Sequence, residues 1–366
     1  MSRNNRLHLF NPENDLALGL GCRHYTPPPH AAALHRAGAL LPAWWAEPGD
    51  AVLAQAPTAS DDAAWLTARY GLDAHVTPSS AGCGMTPSPW GWSEDARRQF
   101  ADAGMGDTFL PDDATLTRLR NLSHRRTSIE ILARLGRDDL AVRELTDPAE
   151  AVKFESEQPG GYYKSPWSCS GRGVFCAGGL SPQVLYDKCA GIIHRQGCVM
   201  AERGYDKVCE SGALFRSCDG RVRFMGLSMF VTEPRGAYTG NIVARQSYFH
   251  ERIGALGLEN TLIDTVNALE GVLTDIIAPH YNGPLGIDMM AYRDNEGEIK
   301  LHPCIELNLR MTMGIAAMAV AHHLDPSHPM LMGWRRGHHN DSQYILLPPR
   351  EGFTLVLQQL NDNELI

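Results

Sequence analysis

The feature that most constrains this chain is a short segment, Glu306 to Arg310, in which polar and apolar residues alternate. Successive side chains of a β-strand point to opposite faces, so a strand here would place Glu306, Asn308 and Arg310 on one face. Residues 286–292 have the composition of a second strand, and residues 294–297 between the two segments are typical of a tight turn. The pattern therefore predicts a β-hairpin.

The predicted hairpin would bring Asp288 close to Glu306 and Asn308. Carboxylate and amide oxygens are the hard ligands that Mg²⁺ prefers, and Mn²⁺ is an acceptable substitute. Arg310 would then lie beside the metal, where a guanidinium can meet a carboxylate, a phosphate or a developing oxyanion. A solvated hairpin with ordinary surface charges is the alternative, because short acidic motifs are common.

Length and composition are those of an ordinary globular chain. Its 366 residues, 43% hydrophobic and 20% charged, suffice for two or three domains. A formal net charge of -9 argues against nucleic acid as the main partner and is compatible with a small anionic ligand. No apolar run reaches membrane-spanning length, residues 1–21 lack the continuous apolar core of a signal peptide, and the nine cysteines never form a Cys-x-x-Cys pair. We therefore expect a cytoplasmic protein with reduced thiols and no membrane partner.

The amino-terminal part has alternating strand and helix signals. Residues 6–10 are typical of a short strand, residues 61–70 have helical composition, and residues 82–92, rich in glycine, proline and tryptophan, indicate a loop. The polar turn after the first strand contains Asn11 and Glu13, which are candidate substrate contacts, and helix capping is the alternative role of such a turn. The alternation predicts an α/β first domain.

A loop of small residues follows the predicted strand 162–164, which ends on Lys164. In this loop, residues 165–174, backbone N–H groups and hydroxyls can fold over phosphates. It is not a Walker loop, because the Gly-Lys-Ser/Thr ending is absent. An ordinary tight glycine hairpin is the alternative. The candidate phosphate contacts of the loop are Ser168, Ser170, Gly171 and Gly173.

Two helices and one further loop are predicted around these segments. Ser123 can cap a helix with an apolar face, and Asn260 can cap a longer one whose buried stripe includes Ile263 and Val266. Residues 232–245 are cationic and contain two glycines, which is typical both of loops that close on anions and of ordinary surface loops. The candidate substrate contacts of that loop are Arg235, Tyr238, Asn241 and Arg245.

Several sequence features, in their order along the chain, resemble the nucleotide site of the ATP-grasp superfamily. They are the strand lysine, the glycine loop, the carboxylates Glu202 and Glu210, the Asp288 strand and the Glu-x-Asn strand. The resemblance spans about residues 121–314. It implies an ATP-grasp fold of the α/β class, with α+β character in the ATP-binding part and an α/β pre-ATP-grasp domain before it. The implied divisions are an amino-terminal domain 1–118, a central subdomain 119–198 and a carboxy-terminal subdomain 199–366.

The same resemblance implies ATP and Mg²⁺ as cofactors and gives roles to individual residues. Phosphate contacts are implied for Lys164 and for one of two arginines that replace the usual first lysine, Arg125 or Arg126. The implied adenine hinge and ribose contact are Glu202, Arg203, Gly204 and Glu210. The implied metal ligands are Asp288, Glu306 and Asn308. The implied residues at the reacting centre are Arg310 and Lys164, with residues 168–173 as a flexible phosphate loop.

The family implies an ATP-dependent ligase that joins a carboxylate to an amine, or to a thiol, and releases ADP and phosphate. A carboxylate is a poor electrophile, so it must be phosphorylated to an acyl phosphate before a nucleophile can attack it. A small-molecule kinase, which stops after phosphoryl transfer, and a non-catalytic nucleotide-binding regulatory protein are the alternatives. The implied partners are a small acid and a small amine, and the sequence leaves open a peptide as either of them and a homodimer as the assembly.

Overall fold

The computed structural model of the protein describes residues 4–73, 75–77, 84–140, 142–168, 173–232, 238–337 and 344–360. Within these residues the strands form three sheets, which are connected by helices into a mixed architecture. Across the same ranges no helix combines the length and the apolar character that a bilayer crossing requires. The α/β class predicted from the sequence is confirmed.

The amino-terminal part is a parallel sheet with helices around it. Its strands lie in the order β3-β2-β1-β4 and are β1 (Arg6–Leu9), β2 (Ala51–Leu53), β3 (His75–Thr77) and β4 (Thr86–Pro89). Its helices are α1 (Asn14–Leu20), α2 (Pro29–Ala37), α3 (Ala59–Tyr70), α4 (Glu94–Asp102) and α5 (Asp113–Leu122). Strand β4 lies inside the segment predicted as a loop. Two prolines are tolerated there because β4 is at the edge of the sheet, where a missing N–H breaks no ladder.

A small antiparallel sheet forms the middle of the chain. Its strands lie in the order β5-β8-β6-β7 and are β5 (Arg143–Leu145), β6 (Tyr162–Lys164), β7 (Val174–Cys176) and β8 (Val199–Glu202). The helices of this part are α6 (Thr127–Arg134), α7 (Pro148–Glu157) and α8 (Pro182–Gln196). The small sheet therefore ends at Glu202, beyond residue 198. Helix α6 does not begin at Ser123 as predicted, because Ser123 instead caps the end of α5.

The largest sheet is antiparallel and occupies the carboxyl-terminal part. Its strands lie in the order β13-β12-β9-β10-β11-β14-β16-β15 and are β9 (Asp206–Cys218), β10 (Arg221–Thr232), β11 (Tyr238–Val243), β12 (Gly283–Arg293), β13 (Ile299–Asn308), β14 (Met330–Arg336), β15 (Tyr344–Ile345) and β16 (Phe353–Gln359). The helices here are α9 (Gln246–Ala255), α10 (Glu259–Ile276) and α11 (Met313–Leu324). Short 3₁₀ helices complete the described elements at Leu41–Trp44, Asp107–Phe109 and Asp138–Leu140.

Two predictions for this part are wrong in detail. The buried stripe of α10 contains Val266 as predicted, but it passes through Leu262 and not through Ile263, which is 48% exposed. Asn260 does not cap this helix, because the helix already begins at Glu259. The segment predicted as one long loop contains strand β11, which pairs with β10 so that Asn241 lies opposite Phe230. Residues of that segment are thus fixed in a sheet by backbone hydrogen bonds.

The carboxyl-terminal strands pack against the amino-terminal part. The Trp44 indole donates a hydrogen bond to the Leu346 carbonyl (3.3 Å), and the Tyr70 hydroxyl donates one to the Ile345 carbonyl (2.6 Å). One apolar core includes Trp44, Leu346 and residues of α11, so it extends across both parts. The parallel sheet is therefore held against the largest sheet at the edge formed by β16 and β15, which is opposite to the edge formed by β12 and β13.

Candidate active site

The predicted hairpin is present and brings its polar residues together. Asp288 on β12 lies directly opposite Glu306 on β13, and Gly286 lies opposite Asn308. The Asn308 side-chain amide donates a hydrogen bond to Asp288 Oδ2 at 3.1 Å. Opposed residues of an antiparallel pair share one face of the sheet, so the two carboxylates and the amide converge on one point.

The chemistry of this set fits a divalent cation. Packing around the carboxyl group of Asp288 and the nearby charge of Glu306 both raise the pKa of Asp288. Two carboxylates that oppose each other in this way favour a bound proton or a bound cation, because either removes their repulsion. Asp288, Glu306 and Asn308 supply the oxygen atoms that Mg²⁺ or Mn²⁺ takes as ligands.

Of the two candidate arginines, Arg125 lies beside the hairpin. Its Nε donates to the Ser165 carbonyl (3.0 Å), its Nη2 donates to Ser168 Oγ (3.0 Å), and its Nη1 donates to a carboxylate oxygen of Glu306. Arg126 points away and pairs with Glu144 at 2.9 Å. Arg125 therefore connects the beginning of the glycine loop to a candidate metal ligand.

Lys164 and Glu202 form a buried pair on the small sheet. Lys164 lies opposite Met200, and Glu202 lies opposite Tyr162, so the two charged side chains come from neighbouring strands and meet. Both residues are buried. The carboxylate of Glu202 therefore neutralises the buried ammonium group of Lys164, which is shielded from water.

Glu210 is a further carboxylate of this region, and its side chain has two hydrogen-bond partners. It accepts hydrogen bonds from Lys207 (2.7 Å) and from the Thr232 hydroxyl (2.7 Å). Glu210 lies inside strand β9, which begins at Asp206. Beside it, the Arg203 guanidinium lies 4.7 Å from the centre of the Tyr205 ring.

Arg310 lies beyond the end of β13 and not on the strand itself. The Met311 N–H donates to the Trp90 carbonyl (2.8 Å), so the chain leaves the sheet at this point and contacts the amino-terminal part. Arg310 is fixed by Asp15 of helix α1, with N–O distances of 2.8 Å from Nε and 2.7 Å from Nη2. Its Nη2 also donates to Asn308 Oδ1 at 2.8 Å.

These groups surround one cavity of about 360 Å³, a volume in the range of small-ligand sites. The sequence-predicted residues that line it are Arg125, Lys164, Ser168, Glu202, Arg203, Glu210, Tyr238, Asn241, Asp288, Glu306, Asn308 and Arg310. The predicted site residues that do not line it are Asn11, Glu13, Arg126, Gly173, Gly204 and Arg245. The predicted contacts Ser170, Gly171 and Arg235 lie outside the described residues, as does most of the predicted phosphate loop 168–173.

The residues away from the cavity have other partners. Asn11 is buried and donates to the Gly91 carbonyl (2.9 Å), which holds the turn after β1 against the end of β4. Glu13 pairs with His35 at 2.8 Å. Arg245 is exposed and pairs with Asp325 at 2.7 Å on the surface. In the structure these three side chains therefore contact other residues of the chain and not the cavity.

Several cavity residues were missed by sequence reasoning. Tyr162 lines the cavity and lies two residues before Lys164 on the same strand, so the period of two along β6 was a usable signal. Ser228, Phe230 and Thr232 line it from β10, a strand that was not predicted. Asp15 lies in helix α1, directly after the polar turn, and no local pattern connects it to Arg310, 295 positions later.

Comparison with known proteins defines the class of fold. No protein-family model and no curated protein matches the chain. Solved structures match it across nearly its whole length. N5-carboxyaminoimidazole synthetase from Staphylococcus aureus, complexed with ADP, has 12% identity and a TM-score of 0.53, over 99% of this chain and 95% of that one. Biotin carboxylase from Campylobacter jejuni, in a β-γ-ATP complex, has 11% identity and a TM-score of 0.51, over 99% and 89% of the two chains.

A third match supports the same class. N5-carboxyaminoimidazole synthase from Aspergillus clavatus, in complex with ADP and 5-aminoimidazole ribonucleotide, has 12% identity and a TM-score of 0.50, over 98% of this chain and 94% of that one. All three are ATP-grasp proteins. The chain has the ATP-grasp fold, as the sequence predicted. At this level of identity the likeness concerns the fold, so the activity is argued below from the cavity.

Proposed function

We propose that the protein is an ATP-dependent ligase that joins a carboxylate to an amine, or to a thiol, through an acyl phosphate, and releases ADP and phosphate. One observation carries this proposal. A single cavity is lined by two buried cations, Lys164 and Arg125, and by the opposed carboxylates Asp288 and Glu306. A triphosphate and a divalent cation together have the charges that this set complements.

The cations are the proposed phosphate contacts. Lys164 and Arg125 each have a carboxylate partner, Glu202 and Glu306 respectively. A triphosphate oxygen can take the place of a carboxylate oxygen at such a cation, because both form charge-assisted hydrogen bonds. In this proposal ATP competes with both carboxylates, and Glu306 then becomes available as a metal ligand.

The adenine side of the proposed site is less polar. The side chains of Tyr162, Val174, Met290 and Ile305 line the same cavity. A flat aromatic base is well accommodated between apolar groups, with a few backbone groups to fix its orientation. We place the adenine there, beside the hinge Glu202 to Gly204, and the ribose near Glu210.

The proposed reaction has two steps. A carboxylate oxygen of the acid attacks the γ-phosphorus of ATP, and ADP leaves with the bridging electrons, which gives a mixed anhydride. The amine then attacks the acyl carbon, loses a proton, and phosphate leaves. A bound Mg²⁺ would offset the charge of the triphosphate during the first step. Arg310, which is adjacent to Asn308, is placed to stabilise the oxyanion of the second step.

We also infer that the protein works in the cytoplasm on small acids and amines. Cysteines without a Cys-x-x-Cys pair favour a reducing compartment, and ATP-dependent ligation needs a supply of ATP. The net charge of -9 disfavours nucleic acid as a partner.

The experiment is an acceptor-dependence screen. The protein is incubated with MgATP and pairs of small acids and amines, ADP is measured, and products are analysed by mass. ADP release that needs both substrates, with a product equal to their sum minus water, supports the ligase. A phosphorylated acid with no amine requirement would instead identify a small-molecule kinase. ATP binding without ADP release under any pair would identify a regulatory nucleotide-binding protein.

A further inference from the structure

We infer that Asp15, in the amino-terminal part, is a positioning residue for the candidate metal site. The inference rests on the proposed function, because it concerns the same site. Asp15 does not line the cavity of about 360 Å³, and among the described residues no hydrogen bond or ion pair joins its side chain to Asp288, Glu306 or Asn308. It acts through Arg310, to which it is bound through both Nε and Nη2.

The Asp15–Arg310 pair is well enclosed. The side chains are 14% and 13% exposed. An ion pair that is shielded from water and bound through two nitrogens has a defined geometry, whereas an exposed pair samples many. Arg310 is additionally fixed by its Nη1, which donates to the Met311 carbonyl at 3.1 Å.

Arg310 in turn determines which atom of Asn308 faces which neighbour. The Arg310 Nη2 donates to Asn308 Oδ1, and Asn308 Nδ2 donates to Asp288 Oδ2. Rotating the amide by half a turn would direct its NH₂ group at the guanidinium and its oxygen at the carboxylate, and both contacts would be repulsive. A metal ion binds an amide through its oxygen, which has two lone pairs, and one of them accepts from Arg310 in this orientation. The arginine thereby fixes the position of the oxygen whose second lone pair can serve the metal.

The same region joins the two parts of the molecule through the backbone. The Met311 N–H donates to the Trp90 carbonyl, one residue after β4. Asp15 and Trp90 thus both hold residues 310–311 against the amino-terminal part. The placement of Arg310 therefore depends on the packing of the parallel sheet, which gives the amino-terminal part a role in ligand geometry.

A matched control exists elsewhere in the interface. Asp62 of helix α3 pairs with Arg350 through Nε at 3.0 Å and through Nη2, and its side chain is 11% exposed. This pair also joins the amino-terminal part to the carboxyl-terminal part. It does not contribute to the cavity lining. Asp62→Asn therefore removes a second ion pair between the two parts, with a similarly buried carboxylate and a more exposed arginine (40%), without touching the contacts of Arg310.

The test is Mn²⁺ binding in the presence of ADP, measured by electron paramagnetic resonance of free Mn²⁺. We expect Asp15→Asn to weaken Mn²⁺ binding by up to about tenfold, because loss of a direct partner of a metal ligand usually costs about 10- to 100-fold and Asp15 acts one residue further out, through Arg310. Asp62→Asn should bind Mn²⁺ as the wild type does. ADP affinity measured without metal should be unchanged in both variants. Equal Mn²⁺ affinity in Asp15→Asn and wild type overturns the role of Asp15.

A second variant covers the case in which Asp15→Asn does not fold. Arg310→Lys keeps the positive charge but has one nitrogen, which cannot reach Asp15 and Asn308 together, so a similar loss of Mn²⁺ affinity is expected. Unchanged affinity in Arg310→Lys overturns the inference. Where both variants fold, the combined variant should lose little more than either alone. A wild-type protein that binds no Mn²⁺ with ADP would refute the proposed metal site itself, which is a different outcome from failure of Asp15.

Discussion

The two walls of the cavity are built differently. On the small-sheet wall, Lys164 and Glu202 come from neighbouring strands and neutralise each other. On the hairpin wall, Asp288 and Glu306 oppose each other as like charges, and the cation at Glu306 is Arg125, 181 residues away in sequence. The charges of the small-sheet wall are neutralised within one sheet. The negative charges of the hairpin wall are neutralised only by a residue distant in sequence or by a bound cation, which is the property expected of a site that takes up a metal.

The largest expected effect tests the hairpin wall. Glu306→Gln removes a charged candidate ligand with little change of shape, so turnover should fall by on the order of a thousandfold, equivalent to about 4 kcal/mol of transition-state stabilisation. Steady-state ADP release measures it. Glu298→Gln is the matched control, since Glu298 is in the turn of the same hairpin and its side chain is 64% exposed. Turnover equal to that of the control variant would remove Glu306 from the metal site.

The next prediction tests whether Lys164 and Glu202 neutralise each other in the small-sheet wall. Lys164→Met leaves Glu202 buried without its partner, so the free energy of unfolding should fall by about 3 kcal/mol. Urea denaturation measures it, with Lys153→Met, whose side chain is 77% exposed, as the control. Adding Glu202→Gln should restore part of the loss, because the unpaired charge is removed.

The same Lys164→Met variant also addresses ligand binding, provided that it remains folded. We expect its affinity for ATP to fall more than its affinity for adenosine, because the ammonium group would contact phosphates and the hinge would contact the base through its backbone. Isothermal titration with both ligands gives the ratio. A fall by one common factor would show that Lys164 acts only through stability.

The fourth prediction concerns the charge repulsion in the hairpin wall without metal. The raised pKa of Asp288 means that the folded protein holds this proton more tightly than the unfolded chain does. Ionisation of Asp288 therefore lowers the free energy of unfolding at pH values above the usual pKa range of Asp. At pH values below that range Asp288 is protonated in both states, and the free energy of unfolding is not affected. Asp288→Asn should raise the free energy of unfolding of the metal-free protein by on the order of 1 to 2 kcal/mol at pH 8.

Thermal unfolding across a pH series checks this sign. The gain from Asp288→Asn should be absent near pH 3 and should increase as the pH rises. Asp206→Asn, at a side chain that is 74% exposed, should show no such trend. A stability gain that is constant with pH would mean that ionisation of Asp288 is not its cause.

The smallest effect tests the connection between the walls. Arg125→Lys keeps a positive charge near Glu306 but cannot reach Ser165 and Ser168 at the same time. Loss of these hydrogen bonds should weaken ATP binding by about 1 kcal/mol, or roughly fivefold. Arg126→Lys should leave the affinity unchanged, because Arg126 pairs with Glu144 outside the cavity. Equal losses in the two variants would show that the site does not distinguish the arginines.

Much of the hairpin wall was predictable from sequence. The alternation at Glu306 and Asn308, the strand around Asp288 and the turn between them are all short-range patterns, and the structure has the predicted pairing. The glycine loop was located correctly at its base, where the Ser165 N–H donates to the Gly173 carbonyl (2.7 Å). Strand β11 was missed because Tyr238 and Asn241 lie in a polar, glycine-containing segment whose strand conformation comes from pairing with β10.

The sequence by itself determined the hairpin, because strand alternation and turn composition act over short distances. It also determined the order of the charged residues, and with it the ATP-grasp fold, because residue order is a property of the chain itself. Only the tertiary structure decided that Arg125 rather than Arg126 meets Glu306, and that Asp15 holds Arg310. Those contacts join residues 181 and 295 positions apart. Contacts at such separations follow from how whole sheets and helices pack, and no local pattern encodes that packing.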